Sequence, residues 1–471
     1  MPDTTPLVII GAGPGGYTAA FHAADLGLAV TLIDPEKNPG GVCLYRGCIP
    51  SKALLHAAKT LNETKEAGKI GIETGTLTIN LDKLRSWKES VVAKLTGGLG
   101  ALTKQRKINY IQGQARFINP NTLEIKKNDG SIETIAFQQA ILATGSRPIH
   151  LPILTPSPKV WDSTAALALP RIPASLLVIG GGYIGLELGS AYSALGAKVD
   201  VVEALPLLIG GTDRDLAEVL IRRLKKNFTS IMTGTKLLAA SETSAGINAT
   251  FQGADGKTFL RTYDQILSAV GRQPNTEGLG LDKAGIMVNP GGFIQVNAQC
   301  QTTRPHIFAI GDVTGQPLLA HKASAEAKVA IESIAGKTAA FNPQAIPAVI
   351  FTDPELAWTG LTEAEARTKG LDITVASFPW LASGRALTID RTDGLTKIIA
   401  DRLTKRILGV GIVGAGAGEL IAEGTLAITM NATADDLART IHPHPTLSET
   451  VMETAEDLFG HCTHLLKTRA R

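Results

Sequence analysis

Cysteine is scarce in this sequence, in which only four of 471 residues are cysteines. Cys300 and Cys462 are isolated along the chain, which excludes the disulfide framework of a small secreted protein. Cys43 and Cys48, in contrast, are separated by only four residues in the stretch GGVCLYRGCIPSK. Because no second cluster of Cys or His with metal-ligand spacing accompanies this pair, we expect no metal site. Only the close pair therefore invites redox chemistry.

The sequence also lacks a long uncharged apolar run, a basic block and a targeting segment. A membrane span needs roughly 18 to 20 apolar residues, and charges such as Glu187 and Glu419 interrupt each long candidate. The net charge of +3 comes from 46 basic and 43 acidic side chains spread along the chain. The N-terminus has neither a basic region nor a signal-peptide core. We therefore expect a cytoplasmic protein that binds neither membranes nor nucleic acid.

The chain is too long for one hydrophobic core and too apolar to be disordered. Its 471 residues indicate about three domains. Hydrophobic residues make up 44% of the sequence, charged residues 19%, and there are 49 glycines. This composition is typical of an α/β protein with many tight turns.

Some of these glycines belong to an internal repeat. Residues 7–34 align without a gap onto residues 176–203, and eight positions are identical between the two copies: Leu7, Ile10, Gly11, Gly13, Gly16, Leu26, Gly27 and Val30. Each copy reads as an apolar strand, a G-x-G-x-x-G turn, a helix, a second strand and a terminal acid. This pattern predicts two βαβ units that each bind a dinucleotide.

Each glycine of the turn has a separate role in such a unit. Gly11 and Gly180 make the tight turn, and the next glycine of the motif lets a pyrophosphate approach the helix N-terminus. The third glycine packs the helix close to the strand; the remaining motif glycines are Gly13, Gly16, Gly182 and Gly185.

The acids that end the two units predict the nucleotide. Glu203 would accept hydrogen bonds from a ribose and repel a 2′-phosphate, which favours NAD over NADP. Asp34 would have the same ribose role in the first unit. A solvated acid at the end of the strand is the alternative for Asp34, because Glu36 follows it closely.

The spacing of the close cysteine pair sets a geometric condition. If Cys43 begins a helical turn, Cys48 lies about one and a half turns further along. A disulfide between them then requires a local distortion, which Gly47 and Pro50 are placed to supply. Strained or exposed disulfides are the labile, catalytic ones. The pair follows the first nucleotide unit directly, so a bound flavin would lie beside it.

Several motifs in a fixed order give the chain a family resemblance over almost its full length. They are GAGPGG, GGVCLYRGCIPSK, ATGSRP at 143–148, GGGYIGLELGS at 180–190, VGRQPN at 270–275, FAIGDV at 308–313, LAHKA at 319–323 and HPHPTLSE at 442–449. By these motifs the chain resembles the pyridine nucleotide-disulfide oxidoreductases, and within them the dihydrolipoamide dehydrogenase branch.

The resemblance implies a fold and a division into domains. We expect an α/β protein with two Rossmann-like dinucleotide-binding domains and a C-terminal α+β dimerisation domain. The FAD-binding domain would cover residues 1–149 and the NAD-binding domain residues 150–275. A central segment, 276–346, would return to the flavin, and residues 347–471 would form the dimer interface.

The resemblance also implies the roles of individual residues. Cys43 would be the interchange thiol that meets the substrate, and Cys48 the thiol beside the flavin. His444 would be the base, with Glu449 fixing its tautomer, while His442 is the competing candidate. Lys52 and Glu187 resemble the ion pair beside the flavin, although a purely structural salt bridge is also consistent. Further cofactor contacts are expected at Ala115, Gly145, Gly271, Asp312 and Ala320.

The function implied is the reoxidation of protein-bound dihydrolipoyl groups by NAD+, with FAD as the second cofactor. The partners would be a lipoylated carrier protein or the lipoyl domain of a multienzyme complex, and a second copy of the chain that receives His444 in its site. The alternatives are another NAD(P)H-linked disulfide reductase of the family and a non-catalytic flavin-bearing redox sensor. Glu203 argues against the glutathione-type reductases.

The sequence departs from the family pattern at a few positions. Tyr45 and Arg46 stand where a small polar or aliphatic pair is usual, and they would either line the thiol channel or pack beneath it. Ser383 replaces a common asparagine, and Asp34 is shorter than the usual glutamate. None of these departures removes a catalytic group.

Overall fold

The computed structural model describes residues 4–466. Its strands are β1 Thr5–Ile10, β2 Val30–Asp34, β3 Asn109–Asn119, β4 Thr122–Lys127, β5 Ile132–Leu142, β6 Ser146–Pro148, β7 Val160–Trp161, β8 Ser175–Ile179, β9 Lys198–Val202, β10 Ser230–Met232, β11 Lys236–Thr243, β12 Gly246–Gln252, β13 Thr258–Tyr263, β14 Gln265–Ser268, β15 Arg272–Pro274, β16 Ile307–Ala309, β17 Ala348–Ile350, β18 Glu355–Gly360, β19 Ile373–Pro379, β20 Leu395–Asp401 and β21 Ile407–Gly414.

The helices are α1 Pro14–Asp25, α2 Gly41–Arg46, α3 Cys48–Glu66, α4 Leu81–Gln105, α5 Ser163–Ala168, α6 Tyr183–Leu195, α7 Arg214–Asn227, α8 Leu281–Ala284, α9 Ala320–Ile334, α10 Glu363–Thr368, α11 Gly384–Thr388, α12 Ala417–Thr429, α13 Ala434–Arg439 and α14 Glu449–Asp457. None of these helices is long and apolar enough to cross a membrane.

The first sheet contains a parallel core in the order β3-β2-β1-β5-β16, and β4 joins β3 to β5 as an antiparallel extension. Its central strands are buried on both faces, which explains why β1 ends in the apolar run Leu7–Ile10 and why β2 is mainly apolar. Helices α1 and α9 pack against each other over this sheet. Because β16 pairs with β5, the segment after residue 276 returns to the first nucleotide unit.

The second sheet repeats the first in a parallel order, β10-β9-β8-β14-β7. The register is also repeated: Leu7 pairs with Val30 in the first unit, and Leu176 pairs with Val199 in the second. The antiparallel sheet β11-β12-β13 extends this unit as β4 extends the first. The sequence repeat is therefore a repeat of tertiary structure.

The C-terminal part forms an antiparallel sheet, β17-β18-β21-β20-β19, with α12 and α14 packed on it. Its core includes Trp380, which is fully buried and donates its indole N–H to Thr396 Oγ1 at 3.0 Å. The opening stretch of this part reads as one strand followed by a helix, but the structure has two strands before α10. Pro354 separates β17 from β18, since proline has no N–H for a sheet hydrogen bond.

Candidate active site

A cavity of about 920 Å³ opens at the carboxyl ends of the parallel strands in the first sheet. Its size lies at the upper end of the range for ligand cavities, about 300 to 1,000 Å³. Predicted site residues that line it are Gly11, Gly13, Asp34, Cys43, Cys48, Lys52, Ala115, Gly145, Glu187, Asp312 and Ala320. The tertiary structure thus brings together residues from six separate motifs.

The first glycine turn is shaped for the close approach of a nucleotide. Gly11 has a φ of +96°, and a Cβ atom there would collide with the carbonyl of Ala143. Gly13 is the N-cap residue of α1, and no side chain caps this helix, so the free N–H groups of its N-terminus lie at the cavity. A Cβ atom on Gly41, the first residue of α2, would lie 2.5 Å from the Cα of Gly13, so Gly41 has no room for a side chain. These features fit the pyrophosphate of FAD.

Asp34 occupies the end of the first nucleotide unit and is only 8% exposed. Its carboxylate accepts hydrogen bonds from the N–H of Ala12 at 2.7 Å and of Glu36 at 2.9 Å. Burial raises the pKa of Asp34, and the Ala12 hydrogen bond and the charge of Arg46 oppose that rise. The alternative of a solvated acid is therefore wrong for this residue.

Glu203 repeats this arrangement in the second unit. Its carboxylate accepts hydrogen bonds from the N–H of Gly181 at 2.7 Å and of Leu205 at 2.8 Å. The turn also matches, since a Cβ on Gly180 would meet the carbonyl of Ala269 and one on Gly185 would meet the carbonyl of Gly180. Residues of the second unit that lie outside the 920 Å³ cavity include Gly180, Gly182, Gly185, Glu203 and Gly271; Gly16 of the first unit also lies outside it. The two turns therefore form separate sites.

The two reactive cysteines lie at a break between helices. Helix α2 ends at Arg46, Gly47 adopts φ −142° and ψ −116°, and α3 begins at Cys48. The glycine thus supplies the distortion that the spacing requires. Both cysteines are free thiols, the reduced form of the couple. The two thiols have unequal pKa values. The hydrogen bond with Cys48, together with burial, raises the pKa of Cys43. The hydrogen bond with Cys43 lowers the pKa of Cys48 to about 7; burial opposes this shift and the Lys52 charge adds to it.

Lys52 and Glu187 form an ion pair in the cavity wall, with 2.8 Å between Nζ and Oε2. The Glu187 side chain is 3% exposed and also accepts hydrogen bonds from the Ser51 hydroxyl at 2.8 Å and the Phe351 N–H at 3.0 Å. The Lys52 ammonium lies 4.4 Å from the centre of the Phe351 ring. The pair joins α3, α6 and the start of the C-terminal domain while it holds a cation beside Cys48, so the structural and the chemical interpretations are both consistent.

Asp312 lies in the 3₁₀ turn that follows β16. Its Oδ2 accepts a hydrogen bond from the Ser146 hydroxyl at 2.5 Å, and Ser146 in turn accepts one from Arg272 Nε at 2.8 Å. Beneath the turn, Glu326 accepts the N–H of Gly311 at 2.6 Å and pairs with the buried Lys322 at 2.8 Å. The position of the Asp312 carboxylate is thus fixed from two sides.

His444 lies outside this cavity and is the more accessible of the two candidate bases. Its side chain is 76% exposed, and its Nδ1 lies 2.9 Å from Glu449 Oε1. The other carboxylate oxygen of Glu449 accepts the N–H of Thr446 at 2.8 Å. Burial raises the pKa of Glu449, but these hydrogen bonds outweigh it and leave the pKa below its ordinary value. The His442 side chain is 5% exposed. Its Nε2 lies 2.8 Å from Glu423 and its Nδ1 lies 2.8 Å from the carbonyl of Thr440, so neither ring nitrogen is free.

Comparison with known proteins assigns the family. The family model described as pyridine nucleotide-disulphide oxidoreductase matches residues 5–327, and the model of its dimerisation domain matches residues 346–455. The chain belongs to the pyridine nucleotide-disulphide oxidoreductases. The predicted fold, with two dinucleotide-binding domains and a dimerisation domain, is confirmed, as is an oxidoreductase that uses FAD and NAD. The limits of the domains and the roles of the site residues stay predictions.

Relatives within this family extend over the whole chain. A dihydrolipoyl dehydrogenase of Vibrio cholerae is 47% identical over 466 residues, which cover 99% of this chain and 98% of the relative. One of Thermus scotoductus is 48% identical over 465 residues, covering 98% and 99%. The solved structure of LpdA from Mycobacterium tuberculosis superposes with a TM-score of 0.90 at 27% identity, covering 97% and 100%. The HOCl-induced flavoprotein disulfide reductase RclA of Escherichia coli gives a TM-score of 0.87 at 29% identity, covering 96% and 99%.

Sequence reasoning missed several residues that this oxidoreductase places at the site. Three of them lie inside the recognised motifs: Ser51, Ser146 and Arg272. Their place in a motif could have identified them as site residues, whereas their residue type alone could not. Phe351 gave no signal, because it comes from a distant segment and binds Glu187 through its backbone.

Proposed function

We propose that the protein is a dihydrolipoyl dehydrogenase that oxidises protein-bound dihydrolipoyl groups with NAD+. The observation that carries this proposal is the unequal cysteine pair in the 920 Å³ cavity, next to the ion pair of Lys52 with the buried Glu187. The full-length likeness to relatives named dihydrolipoyl dehydrogenase supports the choice of substrate.

The reaction balances as a two-electron transfer from one dithiol to NAD+. A dihydrolipoyl thiolate attacks the Sγ of Cys43 in the enzyme disulfide, and the Cys43–Cys48 bond breaks with its electron pair on Cys48. The second substrate thiolate then attacks the lipoyl sulfur of this mixed disulfide and releases Cys43. The substrate leaves as a cyclic disulfide, and the enzyme holds both electrons as a dithiol. The first glycine turn and Asp34 would hold FAD, which would supply the two-electron transfer from this dithiol to NAD+.

The protein's own groups control charge and protons in these steps. Cys48 is the better leaving group because its pKa is lowered to about 7, whereas that of Cys43 is raised. Lys52 supplies a fixed cation next to the Cys48 thiolate. His444 accepts the proton of the attacking thiol at Nε2, since Glu449 holds Nδ1.

His444 requires a second copy of the chain to reach a thiol. It is absent from the lining of the cavity in its own chain, and it is exposed. The C-terminal domain also exposes large apolar side chains, among them Leu381, Leu387, Met430 and Ile441. We therefore propose a homodimer in which each histidine serves the partner's cavity. The lipoyl group would arrive in the cytoplasm on a carrier protein or on a multienzyme complex.

An anaerobic titration tests the proposal. Dihydrolipoamide should reduce the bound flavin of the purified protein, and NAD+ should then restore the oxidised flavin spectrum with formation of one NADH per dithiol. A Cys48→Ser variant is the control, and it should bind FAD but fail to accept electrons from dihydrolipoamide.

Two other outcomes would contradict the proposal. If NADH reduced the flavin while dihydrolipoamide had no effect, the protein would be a disulfide reductase for another substrate. If neither compound changed the flavin spectrum, the redox-sensor alternative would stand. NADP+ in place of NAD+ should be a poor acceptor, because the carboxylate of Glu203 would repel its 2′-phosphate.

A further inference from the structure

Tyr45 and Arg46 separate the two reactive cysteines, yet both side chains contact the loop that follows Asp34. The Tyr45 hydroxyl donates a hydrogen bond to the carbonyl of Asn38 at 3.0 Å and accepts one from its N–H at 3.3 Å. The Arg46 guanidinium forms an ion pair with Glu36 and lies 6.0 Å from the centre of the Tyr45 ring. The hydrogen bonds of Tyr45 and the ion pair of Arg46 are therefore made to this loop.

The loop to which they bind has a fixed conformation. Tyr110 donates its hydroxyl to the carbonyl of Glu36 at 2.9 Å, and Asn128 donates its amide to the carbonyl of Pro35 at 2.8 Å. Asp34, at the start of this loop, is anchored to Ala12 of the glycine turn. Because the loop is held independently, its carboxylates can orient the Arg46 side chain.

Two carboxylates lie at the end of the cavity that would hold the nucleotide, and Arg46 is the cation beside them. Asp34, Glu36 and Arg46 all line the cavity, next to the uncapped N-terminus of α1. Two carboxylates alone would repel an anionic dinucleotide, whereas a guanidinium between them and the ligand neutralises the wall and presents N–H donors. The Arg46 side chain is 40% exposed, so donors that do not face Glu36 remain accessible.

We propose that Arg46 is a binding residue for the adenosine monophosphate half of FAD, held in place by Glu36 and Tyr45. The residues between the cysteines thus tie the redox-active helix to the nucleotide end of the flavin site. This inference rests on the FAD site of the proposed function, but it does not depend on the identity of the thiol substrate.

Rebinding of flavins to the full-length chain after removal of its FAD tests this role. Arg46→Met should weaken FAD binding about tenfold or more, the effect of losing a hydrogen bond to a charged group. The affinity for FMN, which lacks the adenosine half, should change less than twofold. Arg46→Lys should restore part of the FAD affinity, because it keeps the charge and loses the planar fork of donors.

The chain offers a matched control in Arg106, which pairs with Asp25 at 2.8 Å and lies 4.8 Å from the ring of Phe21. Arg106 belongs to the same predicted FAD-binding domain as Arg46 but does not line the cavity, so Arg106→Met should leave FAD affinity unchanged. Equal losses in both variants, or equal losses of FAD and FMN affinity in Arg46→Met, would reduce Arg46 to a structural contact.

A third result would place Arg46 at the thiol channel instead. In that case Arg46→Met would raise the KM for dihydrolipoamide and leave FAD affinity intact. Because flavin binding is measured without any thiol, a protein with a different substrate would still give the predicted loss of FAD affinity.

Discussion

The inequality of the two cysteines gives a prediction that can be measured on the reduced, deflavinated protein. Cys48 should titrate with a pKa of about 7, against an ordinary value of 9.0. At neutral pH about half of the Cys48 thiols would then be ionised, compared with roughly one in a hundred for an unperturbed thiol. The other three cysteines should stay protonated, since Cys43 has a raised pKa and burial raises those of Cys300 and Cys462 to about 12.

The cause of the shift can be tested by substitution. The Cys43 hydrogen bond is the largest contribution that lowers the pKa of Cys48, and the Lys52 charge is a smaller one. Cys43→Ala should therefore raise the Cys48 pKa, and Lys52→Met should raise it by a smaller amount. The direction follows because each change removes a group that favours the thiolate over the thiol.

Ultraviolet thiolate absorbance as a function of pH is the assay, and the same titration of Cys48→Ser supplies the baseline. One thiolate per chain should appear between about pH 6 and 8. A midpoint near 9 in the unmodified protein would refute the lowered pKa of Cys48, and an unchanged midpoint in Cys43→Ala would refute the Cys43 hydrogen bond as its cause. If the signal disappeared in Cys43→Ala but persisted in Cys48→Ser, the thiolate would belong to Cys43 and not to Cys48.

Further variants test the base, the ion pair and the second nucleotide site. His444→Gln should keep FAD and the dimer but lower dihydrolipoamide turnover by about 10² to 10⁴-fold, while His442→Gln keeps most activity, as steady-state rates would show. Glu187→Ala leaves Lys52 without its carboxylate, and we expect urea unfolding to show a loss of about 1 to 3 kcal/mol; an unchanged midpoint would contradict the bracing role. Glu203→Ala should raise the KM for NAD+ about tenfold with unchanged FAD content, and an unchanged KM would remove Glu203 from the site.

Local sequence was sufficient to predict the nucleotide turns and the cysteine break. Gly11 and Gly180 require a positive φ and leave no space for a Cβ atom, so their residue type reports the backbone directly. Gly47 interrupts the helix between the two cysteines for a related reason. Such constraints act between residues close in sequence, so the spacing of a few residues is enough to predict them. The βαβ repeat in addition predicts the order of strands and helices.

Long-range contacts could not be predicted in this way. Phe351 reaches Glu187 from a segment 164 residues away and uses a backbone N–H, which any residue except proline has. The burial of His442 and the exposure of His444 depend on how α12 and the C-terminal turn pack, since Glu423 lies on that helix. The family resemblance favours His444, but residue type alone does not distinguish the two histidines until this packing is known.

The sequence by itself determined two dinucleotide units, a redox-active cysteine pair, a candidate base and the order in which they occur. The dinucleotide units and the cysteine break depend on backbone sterics or helical spacing within a few residues, whereas the candidate base rests on the family resemblance. Only the tertiary structure decided which of them share a cavity, that Cys48 is the more acidic thiol, and that Arg46 is directed toward the acids after β2. Those properties arise from charges and hydrogen bonds between residues far apart in the chain, whose distances folding alone sets.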